Sequence, residues 1–561
     1  MKVKLIHCAN INMVDERDRA QKNIFYMPMG FLALADEVRK ANYDIEIIHS
    51  DLLKGKIDEV VDFNEVDLIG LDCHWVNQSY HVLSLAKYIK ERYPNTFIYL
   101  GGFTASLFSR EIVEKYDFID AVSRGDGEVP IIELCNEISK GKERNLNNVQ
   151  NLIWRNDNKE IVENKFSFRG TDESISKLNF SNFKLMRDWE EYQYFSKFWT
   201  DFDPIKSSNL YLLEIGRGCS YACTFCGGNC EAQFLMNNRK GYCVRSIESV
   251  LDTIESVVSQ GFETLYTCFE FEGSDDYYIE LFEKIKEKGY KLNYVFGGWR
   301  LPSKRLVSKL SECFENVILE ISPETSSEEL RMFNKDKRNY YSNAEMEEIL
   351  DLISSKDNVK AQIYFGYYLI NDNDETITNT IKYILDLLLK YQDFIEVEYT
   401  NFSTDPGSLL FLHPEKYNVD IDVRNLEDYI RVIKEKYINA KDLTADMKIF
   451  RPKNIDIDED KNIDRKMKLF NYLFSYYKTS ISYIARKIND CEFFIDILNC
   501  QELDTINGVD FDENSVKKAI IKVCSKRKIF DPNIIKIVNN DMITAKTSNK
   551  TVKPVPKIRF I

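Results

Sequence analysis

Along most of the chain the apolar positions change period in a regular way. Short apolar runs of strand length give way to stretches whose apolar residues recur every three to four positions, the mark of helices with one buried face. Residues 2–8, 43–49, 66–71, 97–100 and 118–122 read as strands. Residues 31–40 read as a helix with Leu32, Leu34, Ala35 and Val38 on one face. Residues 81–93 give a second helix, carrying Val82, Leu85, Ala86, Tyr88 and Ile89, and residues 129–140 a third. Strands alternating with helices predict a doubly wound parallel sheet, whose ligands bind beyond the carboxyl ends of the strands. Here those ends carry Asn10, Asn12, Asp72, His74, Gly101, Gly102, Phe103, Thr104, Gly125, Gly127 and Glu128. Glycine at such ends lets a backbone approach a flat ligand closely.

The pattern then changes. Residues 151–155 and 160–163 flank Asn156-Asp157-Asn158-Lys159 and predict a β-hairpin. Residues 165–205 have no clean period, yet Trp189, Tyr192, Tyr194, Phe195, Phe198 and Trp199 make them too apolar for a free linker. An ordered connector is expected there. From residue 211 the alternation returns, with strands at 211–215, 264–271, 292–296, 316–321, 359–365 and 394–399. Helices at 246–260, 276–288, 304–313, 344–354 and 375–389 separate them. Six strands with intervening helices fit a partial, TIM-like (β/α)6 barrel, and polar residues at the strand ends point to its mouth. Residues 426–439 and 467–488 read as helices of a mainly helical C-terminal region, and the Lys-rich tail from Lys517 reads as solvated. The expected domains are 1–145, a hairpin and connector at 146–205, the barrel at 206–415 and the C-terminal region at 416–561.

Composition narrows this α/β picture. A length of 561 residues suits about three or four domains. The 44% hydrophobic content supports true cores, and 32 Tyr with 35 Phe make them aromatic. A net charge of −15 argues against general nucleic-acid binding. No apolar run has the length of a membrane span and the N-terminus shows no signal-peptide pattern, so a cytoplasmic protein is expected. Most of the 13 cysteines are then thiols, and Cys8, Cys73, Cys135, Cys268 and Cys313 read as small buried hydrophobes.

Three cysteines stand apart. Gly216-Arg217-Gly218-Cys219-Ser220-Tyr221-Ala222-Cys223-Thr224-Phe225-Cys226-Gly227-Gly228 follows the apolar run 211–215. A loop leaving a strand can gather three thiolates around one centre, as a straight strand or helix cannot. Soft thiolates favour iron–sulfur clusters and zinc, and three ligands leave one position for substrate. A zinc knuckle prefers a second Cys-x2-Cys pair, which the chain lacks. The stretch resembles the Cys-x3-Cys-x2-Cys loop of the radical SAM superfamily, with Phe225 and the glycines also matching. The resemblance implies that Cys219, Cys223 and Cys226 ligate a 4Fe-4S cluster whose remaining iron binds S-adenosylmethionine. It implies S-adenosylmethionine contacts from Phe225, Gly227, Gly228, Glu270, Glu272, Ser322, Glu324 and Gly366. The usual Gly-x-Pro-Gly-Glu turn is replaced by Gly366 and Asn371-Asp372-Asn373-Asp374-Glu375. Asp405-Pro406-Gly407-Ser408 and His413-Pro414-Glu415 resemble the end of the barrel in cobalamin-type members.

Gly101-Gly102-Phe103-Thr104-Ala105 and Gly125-Asp126-Gly127-Glu128 resemble the Rossmann-like cobalamin-binding domain that precedes many radical SAM domains. Asn10, Asn12, Asp72, His74, Gly101, Gly102, Phe103, Thr104, Gly125, Gly127 and Glu128 are its implied contacts. Cobalamin domains whose histidine ligates cobalt carry Asp-x-His-x-x-Gly after the first strand. That loop here reads His7-Cys8-Ala9-Asn10-Ile11-Asn12-Met13, and Asp72-Cys73-His74 follows a later strand without the glycine. The resemblance therefore implies cobalamin held without a histidine on cobalt. The implied activity is that of a cobalamin-dependent radical SAM methyltransferase, acting on a small molecule or peptide and fed by an electron donor such as flavodoxin or ferredoxin. A radical cyclase or rearrangement enzyme without net methyl transfer is the alternative within the same chemistry. A non-catalytic cobalamin or iron–sulfur sensor is the alternative from another class.

Overall fold

The computed structural model describes residues 1–8, 27–53, 57–391, 393–402, 404–439 and 450–452, and beyond these 463, 466–467, 469–470, 492–499 and 513–529. They fall into two compact units. The first comprises Met1–Glu320, Thr404–Pro414 and Ile421–Asn439; the second comprises Ile321–Ser403, Glu415–Asp420 and the described residues beyond 440.

In the first unit, β1 (Lys2–His7), β2 (Asp44–His49), β3 (Leu68–Asp72), β4 (Phe97–Gly101) and β5 (Ala121–Ser123) are parallel. The sheet order is β2-β1-β3-β4-β5, continued by β6 (Leu152–Arg155) and β7 (Ile161–Glu163). Ile6, Ile47, Leu68, Ile69 and Ile98 are fully buried, as a parallel sheet covered on both faces requires. The helices Gly30–Lys40, Ser79–Arg92 and Glu128–Ile138 supply that cover with the apolar faces read from the sequence. The hairpin assigned by sequence to the connector lies against this sheet. Val122 of β5 pairs antiparallel with Ile153 of β6. The edge of β5 is thereby covered, which removes a row of unpaired backbone groups from solvent.

The connector is ordered, as its aromatic content required. Phe183 packs against Tyr192, Tyr211 and Phe262, and the Tyr211 hydroxyl donates to the Phe180 carbonyl at 2.7 Å. The barrel strands come next. β8 (Leu210–Leu212), β11 (Thr264–Thr267), β12 (Asn293–Gly297) and the first half of β13 (Val317–Glu324) are neighbours in that order and parallel. Between β8 and β11 a separate ribbon forms from β9 (Gly216–Cys219) and β10 (Gly241–Val244). Ser246 and Ser303 cap the helices Ile247–Ser259 and Lys304–Cys313, accepting from the amides of Ser249 and Leu306.

In the second unit the second half of β13, β14 (Val359–Tyr367) and β15 (Ile395–Asn401) are neighbours in that order, with Ala361 opposite Ile395. The helices Asn343–Ser354 and Asp374–Tyr391 match the expected ones, the former opened by a Ser342–Glu345 capping box.

The expected helix at 426–439 is observed as Leu426–Asn439. Most of the expected helix at 467–488 lies outside the described residues. The stretch from Lys517, expected to be solvated, is instead helical to Lys526 and buries Ala519, Ile520, Val523 and Cys524 on one apolar face; residues 530–561 lie outside the described residues too. One core assignment is corrected. Cys268 is exposed, and β11 ends before it, at Thr267 rather than at residue 271. Among the described residues no helix is long and apolar enough to cross a membrane.

Candidate active site

Ligands of a doubly wound sheet bind at its carboxyl edge. Of the residues expected there in the first unit, Asn10 and Asn12 lie outside the described residues. Asp72 ends β3 and is committed, both oxygens lying 2.9 Å from His7 Nδ1. Burial works to lower the His7 pKa, but Asp72 outweighs it and the pKa is raised. His7 Nε2 is buried and has no hydrogen-bond partner among the described residues. An unmade bond of this kind costs about 1–3 kcal/mol unless a ligand completes it. His74 is pushed down to about 4 by burial and is neutral at ordinary pH. Its ring lies between Trp75 and Phe103, with centroids 4.9 and 4.6 Å away.

Gly102 has φ +103°, and a Cβ there would come within 2.8 Å of the Cys73 carbonyl oxygen and the His74 backbone. Only glycine lets β4 turn so closely over the end of β3. Gly101, Phe103 and Thr104 belong to the same turn, which Thr104 fastens by donating from Oγ1 to the His74 carbonyl at 3.1 Å. At the next strand end Gly125 takes φ +70° and donates its amide to Ser106 Oγ at 3.0 Å. Gly127 precedes the helix that Glu128 opens. Apart from Asn10 and Asn12, the residues expected at this edge are found there.

The cysteine loop starts from the β9–β10 ribbon rather than directly from a barrel strand. Cys219 closes β9, opposite Gly241. The amides of Tyr221 and Gly228 donate to the Cys219 and Cys226 sulfurs at 3.4 and 3.3 Å. Burial first, then the neighbouring Cys223, drives the Cys226 thiol well above its usual pKa. Neighbouring thiolates resist ionising together unless a cation compensates them, and amide donors suit thiolates bonded to iron. Among the described residues no three His, Cys, Asp or Glu side chains converge on a point suited to one metal ion. A polynuclear cluster, with each sulfur on its own iron, does not need such convergence. The donor set fits a 4Fe-4S cluster on these grounds.

A turn that sequence could not place locks this loop. A Cβ on Gly227 would lie 2.8 Å from the Pro406 carbonyl oxygen and 2.9 Å from Asp405 Cβ. Leu410 donates its amide to the Thr224 carbonyl at 3.1 Å. Asn229 stands outside the motif that the sequence singles out. It caps the helix Cys230–Asn237 through the amides of Glu231 and Ala232, and its Nδ2 donates to the carbonyls of Cys226 (2.6 Å) and Gly407 (3.0 Å). An asparagine directly before a helix is a legible cap; its second bond, 178 residues away in sequence, is not. Gly227→Ala should therefore push the loop off the 405–407 turn. We expect iron content after reconstitution to fall severalfold and thermal stability to drop by about 1–3 kcal/mol, the usual cost of overpacking. Iron and sulfide analysis beside a melting curve checks this.

Arg217, inside the loop motif, joins the two predicted sites. Its guanidinium contacts Asp126 at 3.1 Å, Glu128 at 2.7 Å and Glu214 at 3.7 Å. Arg239 forms a second pair with Asp126. Asp126 also accepts from the Gly170 amide at 2.7 Å. Burial works to raise the Asp126 pKa, but the two guanidiniums outweigh it and hold the carboxyl below its usual range. Glu128, a predicted cobalamin contact, thus spends its carboxylate on Arg217.

Glu270 is likewise engaged. It is 2% exposed and accepts from the amides of Trp299 and Arg300, the latter at 2.7 Å. Burial raises its pKa against these bonds and the Arg300 guanidinium. It braces the turn after β12, whereas Glu272 lies exposed. Glu320 was not foreseen: it accepts from the Tyr266 hydroxyl at 2.8 Å, and Gly297 leaves it room.

In the second unit Ser322 and Glu324 close β13. Glu324 is a non-glycine residue at φ +61°, 5% exposed, with Oε1 on Lys335 Nζ at 3.1 Å. Its Oε2 is buried and has no partner among the described residues. Burial raises its pKa against the pull of Lys335. A strained backbone and an orphaned acceptor at a barrel strand end are features of a binding site. Lys335 also donates to the Ser322 carbonyl at 2.7 Å. Gly366 is buried against Phe402, whose ring leaves no space for a Cβ.

The turn that replaces Gly-x-Pro-Gly-Glu is held by Asp372, which accepts from the Tyr368 amide at 3.0 Å and from Thr376 Oγ1. Burial pushes the Asp372 carboxyl up to about 6 from 3.8. The folded state then binds the proton more tightly than the unfolded chain. Its contribution is best below the unfolded pKa and is lost as pH rises through about 6. Asp372→Asn should flatten that part of the stability profile, as urea midpoints across this pH range would show.

Comparison with known families finds two domains along the chain, a B12-binding domain followed by a radical SAM domain. The B12 binding domain family matches residues 25–134, and the Radical SAM superfamily matches residues 213–384. Among individual relatives, an uncharacterised methyltransferase of Pyrococcus horikoshii is 25% identical over 281 residues, 48% of this chain and 54% of that protein. The anaerobic magnesium-protoporphyrin IX monomethyl ester cyclase of Synechocystis is 23% identical over 207 residues, 36% of this chain and 38% of that protein. The matches thus span little more than half of the first relative and well under half of the second. Among solved structures, the cobalamin-dependent S-adenosylmethionine radical enzyme OxsB shares the fold, with a TM-score of 0.56 at 13% identity over 98% of this chain and 84% of that one.

Proposed function

We propose that this protein is a cobalamin-dependent radical SAM methyltransferase. One observation carries the reading: Arg217, two residues before the first cluster cysteine, is ion-paired to Asp126 and Glu128 in the predicted cobalamin loop. A methyl donor and a radical source have to act on one substrate, and this pairing binds the loops assigned to each into one structure. Bound there, a 4Fe-4S cluster would supply reductive cleavage of S-adenosylmethionine to a 5′-deoxyadenosyl radical, and methylcobalamin would supply the methyl group.

The chain's own residues supply position and polarity. Cys219, Cys223 and Cys226 hold the cluster, with Phe225, Gly227 and Gly228 beside it. The free Glu324 oxygen takes hydroxyl donors of S-adenosylmethionine, with Ser322, Gly366, Glu270 and Glu272 as the remaining candidates. Asp72, His74, Gly101, Gly102, Phe103, Thr104, Gly125 and Gly127 form the bed for cobalamin, with His7 Nε2 unfilled among the described residues. The substrate is a small molecule or peptide, and an external one-electron donor serves the cluster.

The Synechocystis relative, named as a cyclase, favours a second reading in which the same radical drives ring formation without methyl transfer. Anaerobic reconstitution with iron, sulfide, hydroxocobalamin, S-adenosylmethionine and dithionite tests both. The proposal expects bound corrinoid, 5′-deoxyadenosine, and products heavier by one methyl group with candidate substrates. Deoxyadenosine with no methylated product among substrates that are consumed would favour the cyclase. Bound cofactors without turnover would leave a sensor.

A further inference from the structure

The helix Cys230–Asn237 starts four residues after the last cluster cysteine and is tied to it through Asn229. Ala232, Gln233, Met236 and Asn237 are buried, yet Phe234 and Leu235 stand 46% and 47% exposed. Two adjacent large apolar side chains in solvent, on a helix that otherwise packs, need a reason. Cations rim them. The exposed Lys240 holds its ammonium 5.3 Å from the Phe234 ring centroid. The exposed Arg169 donates to the carbonyl of Asn238, the helix C-cap, at 3.1 Å. The carboxylate on this helix, Glu231, is engaged by His413 at 2.7 Å.

The net charge of −15 gives the patch its meaning. An acidic partner is repelled by the molecule as a whole and attracted only where cations gather, so such a site orients its approach. A second copy of the chain, equally acidic, gains less from it. We infer that Phe234, Leu235, Lys240 and Arg169 form the docking surface for an acidic one-electron carrier protein of the flavodoxin or ferredoxin kind. This rests on the proposed function, which needs an electron at the cluster. The carrier loses one electron and the cluster gains it; that electron then cleaves the sulfonium carbon–sulfur bond, leaving methionine and the 5′-deoxyadenosyl radical. Asn229 and the Cys226 carbonyl link the helix to the cluster loop.

The test compares two reductants on the reconstituted full chain. 5′-Deoxyadenosine formation is followed with reduced acidic flavodoxin and, separately, with dithionite, in wild type, Lys240→Glu and the Phe234→Glu/Leu235→Glu double variant. We expect both variants to lose about tenfold in flavodoxin-driven rate while the dithionite-driven rate is unchanged. The wild-type flavodoxin rate should fall as salt rises, and Lys240→Glu should flatten that dependence. An acidic two-iron ferredoxin serves as a second arm and should show the same pattern. Equal losses with both reductants, or no loss with either carrier, would overturn the docking assignment. So would a change of oligomeric state in the double variant without a selective carrier defect, since the patch would then be a self-interface. If wild type forms no deoxyadenosine with dithionite, it is the proposed function that fails, and the two failures are distinguishable.

Discussion

Replacement of Cys219, Cys223 and Cys226 together by alanine is expected to remove the iron–sulfur absorbance of the reconstituted protein and to abolish 5′-deoxyadenosine formation. The loss should be complete, because all three thiolates of the loop go at once and Cys230, four residues after Cys226, leaves a single thiol beside it. Among the other described cysteines, Cys243 is buried in β10, where Arg239 donates to its sulfur at 2.9 Å. Cys268 lies at the end of β11 in another element. Single replacement of Cys226 should do nearly as much, since its sulfur is the one held by the Gly228 amide under the 405–407 turn. Corrinoid content is the control. It should stay near the wild-type level, because the Gly101–Thr104 turn is built without any cluster residue. Deoxyadenosine produced by the triple variant would sink the assignment of these residues.

The second large effect is expected at Arg217. Arg217→Met leaves Asp126 its pair with Arg239 but takes from Glu128 its ion-pair partner, the two side chains being 9% and 10% exposed. Removing one partner of a buried ion pair costs about 3–5 kcal/mol, mostly the penalty for the charges left behind. Hydrogen exchange of the β9 and β10 amides is the measurement, since it reads the opening free energy of that ribbon locally. Arg217→Lys should recover part of the loss, having charge without the planar fork. Glu128→Gln combined with Arg217→Met should cost less than the sum of the single changes, because the stranded carboxylate has gone.

The sign of the pH effect is set by Asp126. Its folded pKa lies below the usual carboxylate value, so its contribution is present above the unfolded pKa and is lost as pH falls through the folded one. In Arg217→Met that acid-side dependence should flatten. Unchanged exchange in the variant would mean that the ion pairs contribute nothing to holding the two loops.

Much of this was legible in the residues. The expected helices at 304–313 and 426–439 are observed as Lys304–Cys313 and Leu426–Asn439, because an apolar stripe of period 3.6 sets both the element and its buried face. The cysteine loop was legible because ligand chemistry restricts residue type and spacing at once. Gly102 and Gly125 were legible as glycines at strand ends; both take positive φ, and at Gly102 the close neighbour is the chain's own Cys73–His74 backbone. Strand ends were less legible. β11 stops at Thr267 and β13 runs on to Glu324, since hydrogen-bond partners on neighbouring strands, rather than apolar runs, decide where pairing stops.

The sequence by itself determined the two alternating βα series, the thiolate loop and the glycine turns, all of which depend on residues close together along the chain. Tertiary structure alone decided which polar groups are spent and which stay free. Glu128 and Glu270 read as ligand contacts but are held by Arg217 and by the amides of Trp299 and Arg300. Among the described residues Glu324 keeps an oxygen unfilled beside a lysine 11 residues on. It also decided that Pro406 sits on Gly227 and that the hairpin closes the first sheet. The physical reason is the same in each case. A buried charge or backbone group takes its partner from whatever packing brings within about 3 Å, and that distance is not written in local spacing.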